Sequence, residues 1–267
     1  MDVTNTVADP IDNMTGAYID QQTPVSMGED GSFALNLFYN SLYTDNSGEA
    51  GYGWVHSYES RLVDVPNGTV KYYRSPNIAY TFIMDNLEEQ NPWIIDDEGY
   101  YSMDTSRLQP VQSYTCMSDA DYQLRRKEDY SYVLTDEEGT VYTFTKEGNL
   151  NAIRKKNGQS VSIDRTEDHV TVTDDVSGRF FTLHLNEQKR IAAIEDSAGR
   201  ITQLYYDDYG NLTTYENASG ERWYYEYDDA HRIIQGRNPD GTLYVKNVYD
   251  EEGRVTEQDD GIQETSV

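Results

Sequence analysis

Tyr206-Asp207-Asp208-Tyr209-Gly210-Asn211-Leu212, Tyr227-Asp228-Asp229-Ala230-His231-Arg232-Ile233 and Tyr249-Asp250-Glu251-Glu252-Gly253-Arg254-Val255 are three copies of one seven-residue pattern, with their Tyr-Asp pairs 21 and 22 residues apart. A second turn signal lies between copies, at Ser219-Gly220, Asp240-Gly241 and Asp260-Gly261. A fixed period of this length marks a repeat architecture, which has to be read before any local element. Two ladders extend it upstream. Turn glycines recur at Gly139, Gly158, Gly178, Gly199, Gly220, Gly241 and Gly261, and the apolar residue closing the other turn recurs at Leu150, Val170, Ile191, Leu212, Ile233 and Val255. Each period therefore holds two turns and two strands.

Glycine supplies positive φ without steric cost, and Asp or Asn beside it bonds its own backbone. Asn157-Gly158 and Asp240-Gly241 are hairpin turn signals, and the intervening Glu221-Arg222-Trp223-Tyr224-Tyr225-Glu226-Tyr227 suits a pleated, half-buried surface. Single hairpins are marginal in water. Side by side they form one long antiparallel sheet, so the fold class is all-β. Upstream, Tyr-Asp decays to Leu185-Asn186, Ile163-Asp164 and Phe144-Thr145. The first position stays apolar while the second does not stay acidic, so the ring is a packing group and the Asp is turn chemistry.

Tyr-Asp-x-x-Gly-Arg-(Leu/Val) at this period resembles the YD repeat of Rhs proteins and teneurins. Tyr249, Asp250, Gly253 and Arg254 make the cleanest copy; Tyr206, Asp207 and Gly210 are followed by Asn211 in place of Arg; after Tyr227 and Asp228, His231 stands where Gly is usual. The resemblance covers about Gly139 to Gly261. A second block, Asp9-Pro10 through Thr15-Gly16-Ala17-Tyr18, then Tyr39-Asn40-Ser41, then Gly51-Tyr52-Gly53-Trp54-Val55-His56-Ser57-Tyr58-Glu59-Ser60-Arg61-Leu62, resembles the domain that precedes the repeats in many bacterial Rhs proteins. The resemblance implies a partial β-cocoon shell, a curved strip of hairpins that holds a variable C-terminal toxin. Asp9, Pro10, Thr15, Gly16, Trp54, His56 and Arg61 are then motif residues of a structural domain, with Trp54 filling a sheet face and His56 bonded at a bend.

The expected organisation is an unstructured lead over 1–8, an N-terminal β domain over 9–101, an irregular connection over 102–121 and a hairpin array over 122–267. Within the first domain Phe33, Leu35, Leu37 and Tyr39 alternate onto one face. Pro66-Asn67-Gly68-Thr69 and Asp96-Asp97-Glu98-Gly99 read as turns, and no segment reads as a helix. A strip of about six hairpins leaves an edge at Val267, and open edges invite pairing. Further chain or a partner is expected to cover it.

Composition narrows the function classes. The chain has 267 residues, 48 acidic against 21 basic, and a net charge of −27. A polyanion repels nucleic acid. Mean hydropathy is −0.79, but 24 tyrosines supply apolar area with a wet hydroxyl and argue against disorder. Cys116 is alone and forms no internal disulfide. Met1-Asp2-Val3-Thr4 opens no signal peptide, and no stretch reaches the length of a membrane span.

No catalytic constellation is expected. The acidic pairs Asp174-Asp175, Asp207-Asp208, Asp228-Asp229 and Asp259-Asp260 recur at turn positions, whereas glycoside hydrolysis needs two carboxylates across a cleft. His56, His169, His184 and His231 lack metal-ligand spacing, no calcium-loop signature occurs, and no phosphate loop or nucleophile elbow is found. No cofactor or metal is assigned. Asn238-Pro239-Asp240-Gly241 is reminiscent of the Rhs self-cleavage motif but holds a repeat's turn register. The leading reading is a non-catalytic shell segment, secreted or at the bacterial surface, whose partner is further polypeptide or a toxin client. The alternative is a carbohydrate- or protein-binding module with Trp223 and Tyr225 as a glycan platform.

Overall fold

The computed structural model describes residues 10–28, 31–95, 97–259 and 261. Nearly all regular structure is β, and the described helices are two single 3-10 turns, Glu88–Gln90 and Thr105–Arg107. Asp9 and Asp260 lie outside the described residues, as does Asp96. Among the described residues the long antiparallel sheet counts eighteen strands. By contacts the chain divides into two compact units. One gathers the chain up to Glu59, Thr166–Thr171 and the chain from Arg179; the other is Ser60–Arg165 with Val172–Gly178.

This division by contacts runs along other lines than the boundaries expected at 101 and 121. Residues up to Glu59 belong with the last hairpins because they lie on their inner side, as detailed below. The stretch 102–121 is also less irregular than its composition suggests. Gln112–Cys116 is a strand pairing with Ile78–Met84 on one side and Gln123–Arg126 on the other. Only Gln112 and Tyr114 of it are buried, so five mostly polar residues hid a central strand. Residues 85–111 are an excursion between neighbouring strands, with a small ribbon of Trp93–Ile95 and Tyr101–Met103.

In the Ser60–Arg165 unit, hairpins follow in order from Arg61–Val65 through Thr69–Ser75, Ile78–Met84, Gln112–Cys116, Gln123–Arg126, Tyr132–Thr135, Val141–Phe144, Leu150–Arg154 and Ser160–Arg165. The first strand also meets the turn before Leu150: Arg61 bridges Asn149, and Leu62 N–H donates to Gly148 C=O at 2.8 Å. The unit fills itself with alternating inward residues, among them Tyr72, Phe82, Leu124, Tyr132, Leu134 and Phe144. Tyr72 sets its ring against Tyr122 and Phe144, and Tyr132 donates to Asp64 Oδ1 at 2.6 Å.

In the other unit the last hairpins run from Phe180–Leu185 to Val255–Asp259, each strand antiparallel to the next. The N-terminal part contributes a three-stranded sheet of Ile19–Met27, Phe33–Asn40 and Trp54–His56. Phe33, Leu35, Leu37 and Tyr39 are all buried, as their alternation requires.

The two kinds of turn differ in detail. Asn67 and Gly68 both take positive φ, the backbone of a primed hairpin turn. At Asn157-Gly158 and Asp240-Gly241 only the glycine does, so these are three-residue loops closed by a glycine bulge. The Tyr-Asp turns add a second irregularity. Tyr206 pairs with Leu212 while Tyr205 pairs with Thr214, and the same register shift recurs before Tyr227 and Tyr249. The extra residue is a β-bulge, which releases backbone groups from the ladder.

Candidate functional site: the inner face of the last hairpins

The bulge explains the repeat chemistry. Tyr206 Oη donates to Ile191 C=O at 2.9 Å, Tyr227 Oη to Leu212 C=O at 2.7 Å and Tyr249 Oη to Ile233 C=O at 2.7 Å. Each repeat tyrosine thus satisfies the closing carbonyl of the repeat before it, and each accepting residue is buried. Burial pushes these phenols well above their ordinary pKa and keeps them protonated donors.

The repeat aspartates act within their own turns. Asp250 Oδ1 accepts the N–H groups of Glu252 and Arg254, and its Oδ2 takes Arg254 Nε at 2.7 Å. Asp228 does the same with Ala230, Arg232 and the Arg232 guanidinium. Asp207 holds the N–H groups of Tyr209 and Asn211 and the Asn211 side-chain amide. The Arg254 N–H, then its guanidinium, holds Asp250 below the usual carboxylate range against its desolvation.

Closing residues also have N–H groups, and the N-terminal segment accepts them. Ile191 N–H donates to Glu49 C=O at 2.8 Å, Ile233 N–H to Tyr39 Oη at 2.9 Å and Val255 N–H to Gly16 C=O at 2.8 Å. Tyr39 Oη in turn donates to His231 C=O at 3.1 Å. Trp54, 1% exposed, donates Nε1–H to Tyr227 Oη at 3.0 Å, and its ring meets Tyr225 and Tyr39. Phe33 stacks on Phe181, Thr202 Oγ1 donates to Pro24 C=O, and Tyr244 Oη donates to Asp20 Oδ2 at 2.8 Å. The glycine-rich bend fits against the Gly210 turn. A β-carbon at Gly51 would stand 2.8 Å from Gly210 C=O, and Gly51 itself has φ +95°.

A buried polar cluster fixes the bend. Glu59 accepts the N–H groups of Glu49 at 2.7 Å and His56 at 3.4 Å. Tyr58 N–H donates to His56 Nδ1, so the His56 proton sits on Nε2 and is donated to Glu49 Oε2 at 2.9 Å. Desolvation raises the Glu59 pKa, partly offset by His56, and desolvation likewise raises Asp20 despite its bond from Tyr244.

The sequence motif residues therefore converge unevenly. Gly16, Trp54, His56 and the repeat residues from Tyr206 to Arg254 meet in one unit. Pro10 accepts from Ile19 N–H, Thr15 closes a local turn onto Ala17, and Arg61 belongs to the other unit, where it lies over the Tyr73 ring. The Trp223–Tyr225 platform needs correction. Tyr225 is 2% exposed beneath Trp54, and Trp223 is half-buried beside Tyr215, because strand alternation turns both toward the covered side. Tyr224, not its neighbours, faces out. Sequence reasoning missed Tyr39, Glu49 and Tyr52, which stacks on His231, as docking residues, and Glu59 as the acceptor that braces the bend; only Tyr39's place on the buried face was readable.

Among the described residues no group of three or more His, Cys, Asp or Glu is set to hold a metal ion. Cys116 is half-buried with its Sγ 3.3 Å from Ser118 Oγ. No described helix is long and apolar enough to cross a membrane.

These features define a hairpin-repeat protein whose N-terminal segment covers the inner face of its last hairpins. A family model described as "Teneurin YD-shell" matches residues 130–263, half of the chain, and one described as "Domain of unknown function (DUF6531)" matches residues 8–82. The chain belongs to the teneurin YD-shell family, as an Rhs/YD-repeat protein. A search of curated proteins finds no match to it.

Proposed function

We infer a structural shell role from membership of the YD-shell family. We propose that this chain is a segment of an Rhs-type shell that encloses and delivers a C-terminal toxin, itself non-catalytic, secreted or held at the bacterial surface and used in competition between bacteria. The observation that carries the reading is the chemistry of the inner hairpin face. It holds the chain's own N-terminal segment, taking the Glu49 and Gly16 carbonyls and the Tyr39 phenol onto the N–H groups of Ile191, Val255 and Ile233. A lining that holds chain through backbone groups and neutral tyrosines is suited to a polypeptide client and tolerant of its sequence. Strand-by-strand growth of repeats lets such a lining extend without a new design.

The test is the native gene product, detected with an antibody against this segment in its source cells. A product far above 30.6 kDa whose C-terminal part resists protease until the shell is denatured is expected. A mature product of about the mass of this chain, with no protected downstream polypeptide, would overturn the reading.

A further inference from the structure

A periodic array poses a problem of register. The closing sites at Ile191, Leu212, Ile233 and Val255 are near-equivalents one repeat apart, so an aromatic segment could dock one hairpin early or late. Something must distinguish one site from its neighbours. Among the three Tyr-Asp copies the two departures from the pattern, Asn211 for Arg and His231 for Gly, are partners in space.

Where the pattern is kept, the arginine of one turn lies across the glycine of the next. Arg190 covers the Tyr206 ring at 5.8 Å from its centroid, and a β-carbon at Gly210 would run into its guanidinium. Arg232 covers the Tyr249 ring at 4.8 Å, donates to Asp250 C=O at 3.0 Å and would lie 3.6 Å from a β-carbon at Gly253. At Gly210 the arginine of the preceding turn thus leaves no room for a side chain, at Gly253 it lies in ordinary contact, and at both it roofs the next tyrosine.

Between these two sites the roof is missing. Asn211 is too short to reach over Tyr227, and it folds back onto Asp207. The following turn is then free to carry a side chain. His231 adopts φ +63°, gives Nδ1 to Asn211 Oδ1 at 2.8 Å and stacks on Tyr52 at 3.8 Å with 7° between the ring planes. Trp54 and Tyr39 take the place over Tyr227 that an arginine holds elsewhere, at 3.0 Å from its hydroxyl and 6.5 Å between ring centroids.

We propose that Asn211 and His231 together are the register key of this protein: the paired departure opens one site in the array and selects it as the seat of Tyr39, Tyr52 and Trp54. The two residues are positioning residues. They decide where the N-terminal segment seats, whatever the shell encloses.

The experiment is hydrogen exchange by mass spectrometry on the full chain, comparing peptides spanning 33–56 and 228–237 with peptides from 61–84 as an internal control. Asn211→Arg is expected to be accepted by its own turn, since Asp228–Arg232 and Asp250–Arg254 already show that geometry. It is expected to raise exchange in 33–56 at least tenfold and leave 61–84 unchanged.

His231→Gly supplies the second arm should Asn211→Arg fail to fold. A merely local role predicts slower or unchanged exchange, because glycine relieves the positive φ. The key predicts faster exchange at 33–56 in spite of that relief. Unchanged protection of 33–56 in both Asn211→Arg and His231→Gly would overturn the proposal.

Discussion

Hairpins from Arg61 to Arg165 bring their own cover, whereas those from Phe180 to Asp259 are covered by residues that come first in the chain. In the Ser60–Arg165 unit the strand Arg61–Val65 meets the turn at Gly148 and Asn149, and the interior is filled by the inward residues of the hairpins themselves. In the other unit the equivalent turn corners at Ile191, Ile233 and Val255 are met by Glu49, Tyr39 and Gly16. Both meet a backbone group beside a repeat turn with another piece of chain. The difference is that the second interface adds tyrosine hydroxyls and backbone carbonyls to a buried apolar face that includes Phe33, Leu35, Leu37 and Trp54, and so depends on exact polar partners as well as on apolar area.

That difference can be broken most sharply in the core. Trp54→Ala removes a ring 1% exposed together with the Tyr227 bond. A loss of about 3–5 kcal/mol is expected, confined to the unit that holds the N-terminal segment. Phe144→Ala, at a fully buried ring of the other unit, should cost a similar amount and lower the other transition. Denaturant unfolding followed by exchange in each unit would check both. A single shared transition for both variants would show that the units melt together.

Single hydroxyls sharpen the comparison at a smaller scale. Tyr227→Phe strips a donor from the buried Leu212 carbonyl and an acceptor from Trp54, at an expected cost of about 1–3 kcal/mol. Tyr132→Phe in the other unit removes only a bond to Asp64, which stays within reach of water, so about 0.5–1.5 kcal/mol is expected. Equal losses would mean that the two linings have the same polar character.

The pH response should also separate the units. Desolvation raises Glu59 and Asp20 above their ordinary values of 4.5 and 3.8, so the folded state holds their protons more tightly than the unfolded chain. The unit carrying them should gain stability as pH falls from 7 through those raised values toward about 4, and lose that gain as pH rises again. Asp196, desolvated but held low by the Arg200 N–H and guanidinium, acts in the opposite sense only below its ordinary value of 3.8. In the Ser60–Arg165 unit, Ser106 and Ser131 lower Asp104 and Asp129, and these contributions are likewise lost only under stronger acid. Thermal unfolding of wild type and Asp20→Asn between pH 7 and 4.5 measures this, with a flatter response expected for the variant.

The smallest effect belongs to the repeat arginines at the surface. Arg254 pairs with Asp250 and Glu252 while 55% of its side chain is exposed. Arg254→Ala should cost under about 1 kcal/mol, and less at high salt.

The contrast between the units also shows what was readable beforehand. The two ladders of turn glycines and closing residues gave the hairpins directly, since a period of 21 residues with two turns admits few other folds. Phe33 to Tyr39 declared their buried face by alternation alone. The role of the repeat tyrosine as a packing group was readable from its decay to Leu, Ile and Phe; its hydroxyl bond to the preceding repeat was not, because no spacing in the chain encodes it. The strand Gln112–Cys116 escaped notice because only two of its residues are buried, and Tyr225 was misplaced as a ligand surface because alternation tells two faces apart without naming the covered one.

By itself the sequence determined the hairpin, its turns and its period, because these rest on φ preferences and side chain–backbone bonds within a few residues. It also displayed Asn211 and His231 as two separate irregularities. Only the tertiary structure decided that they touch, that Tyr52 lies on one of them and that residues 10–59 cover the hairpins from Phe180 onward. The physical reason is that local geometry recurs from hairpin to hairpin, while the choice among similar hairpins is made by side chains as much as 224 residues apart, as between Asp20 and Tyr244, whose pairing no local rule specifies.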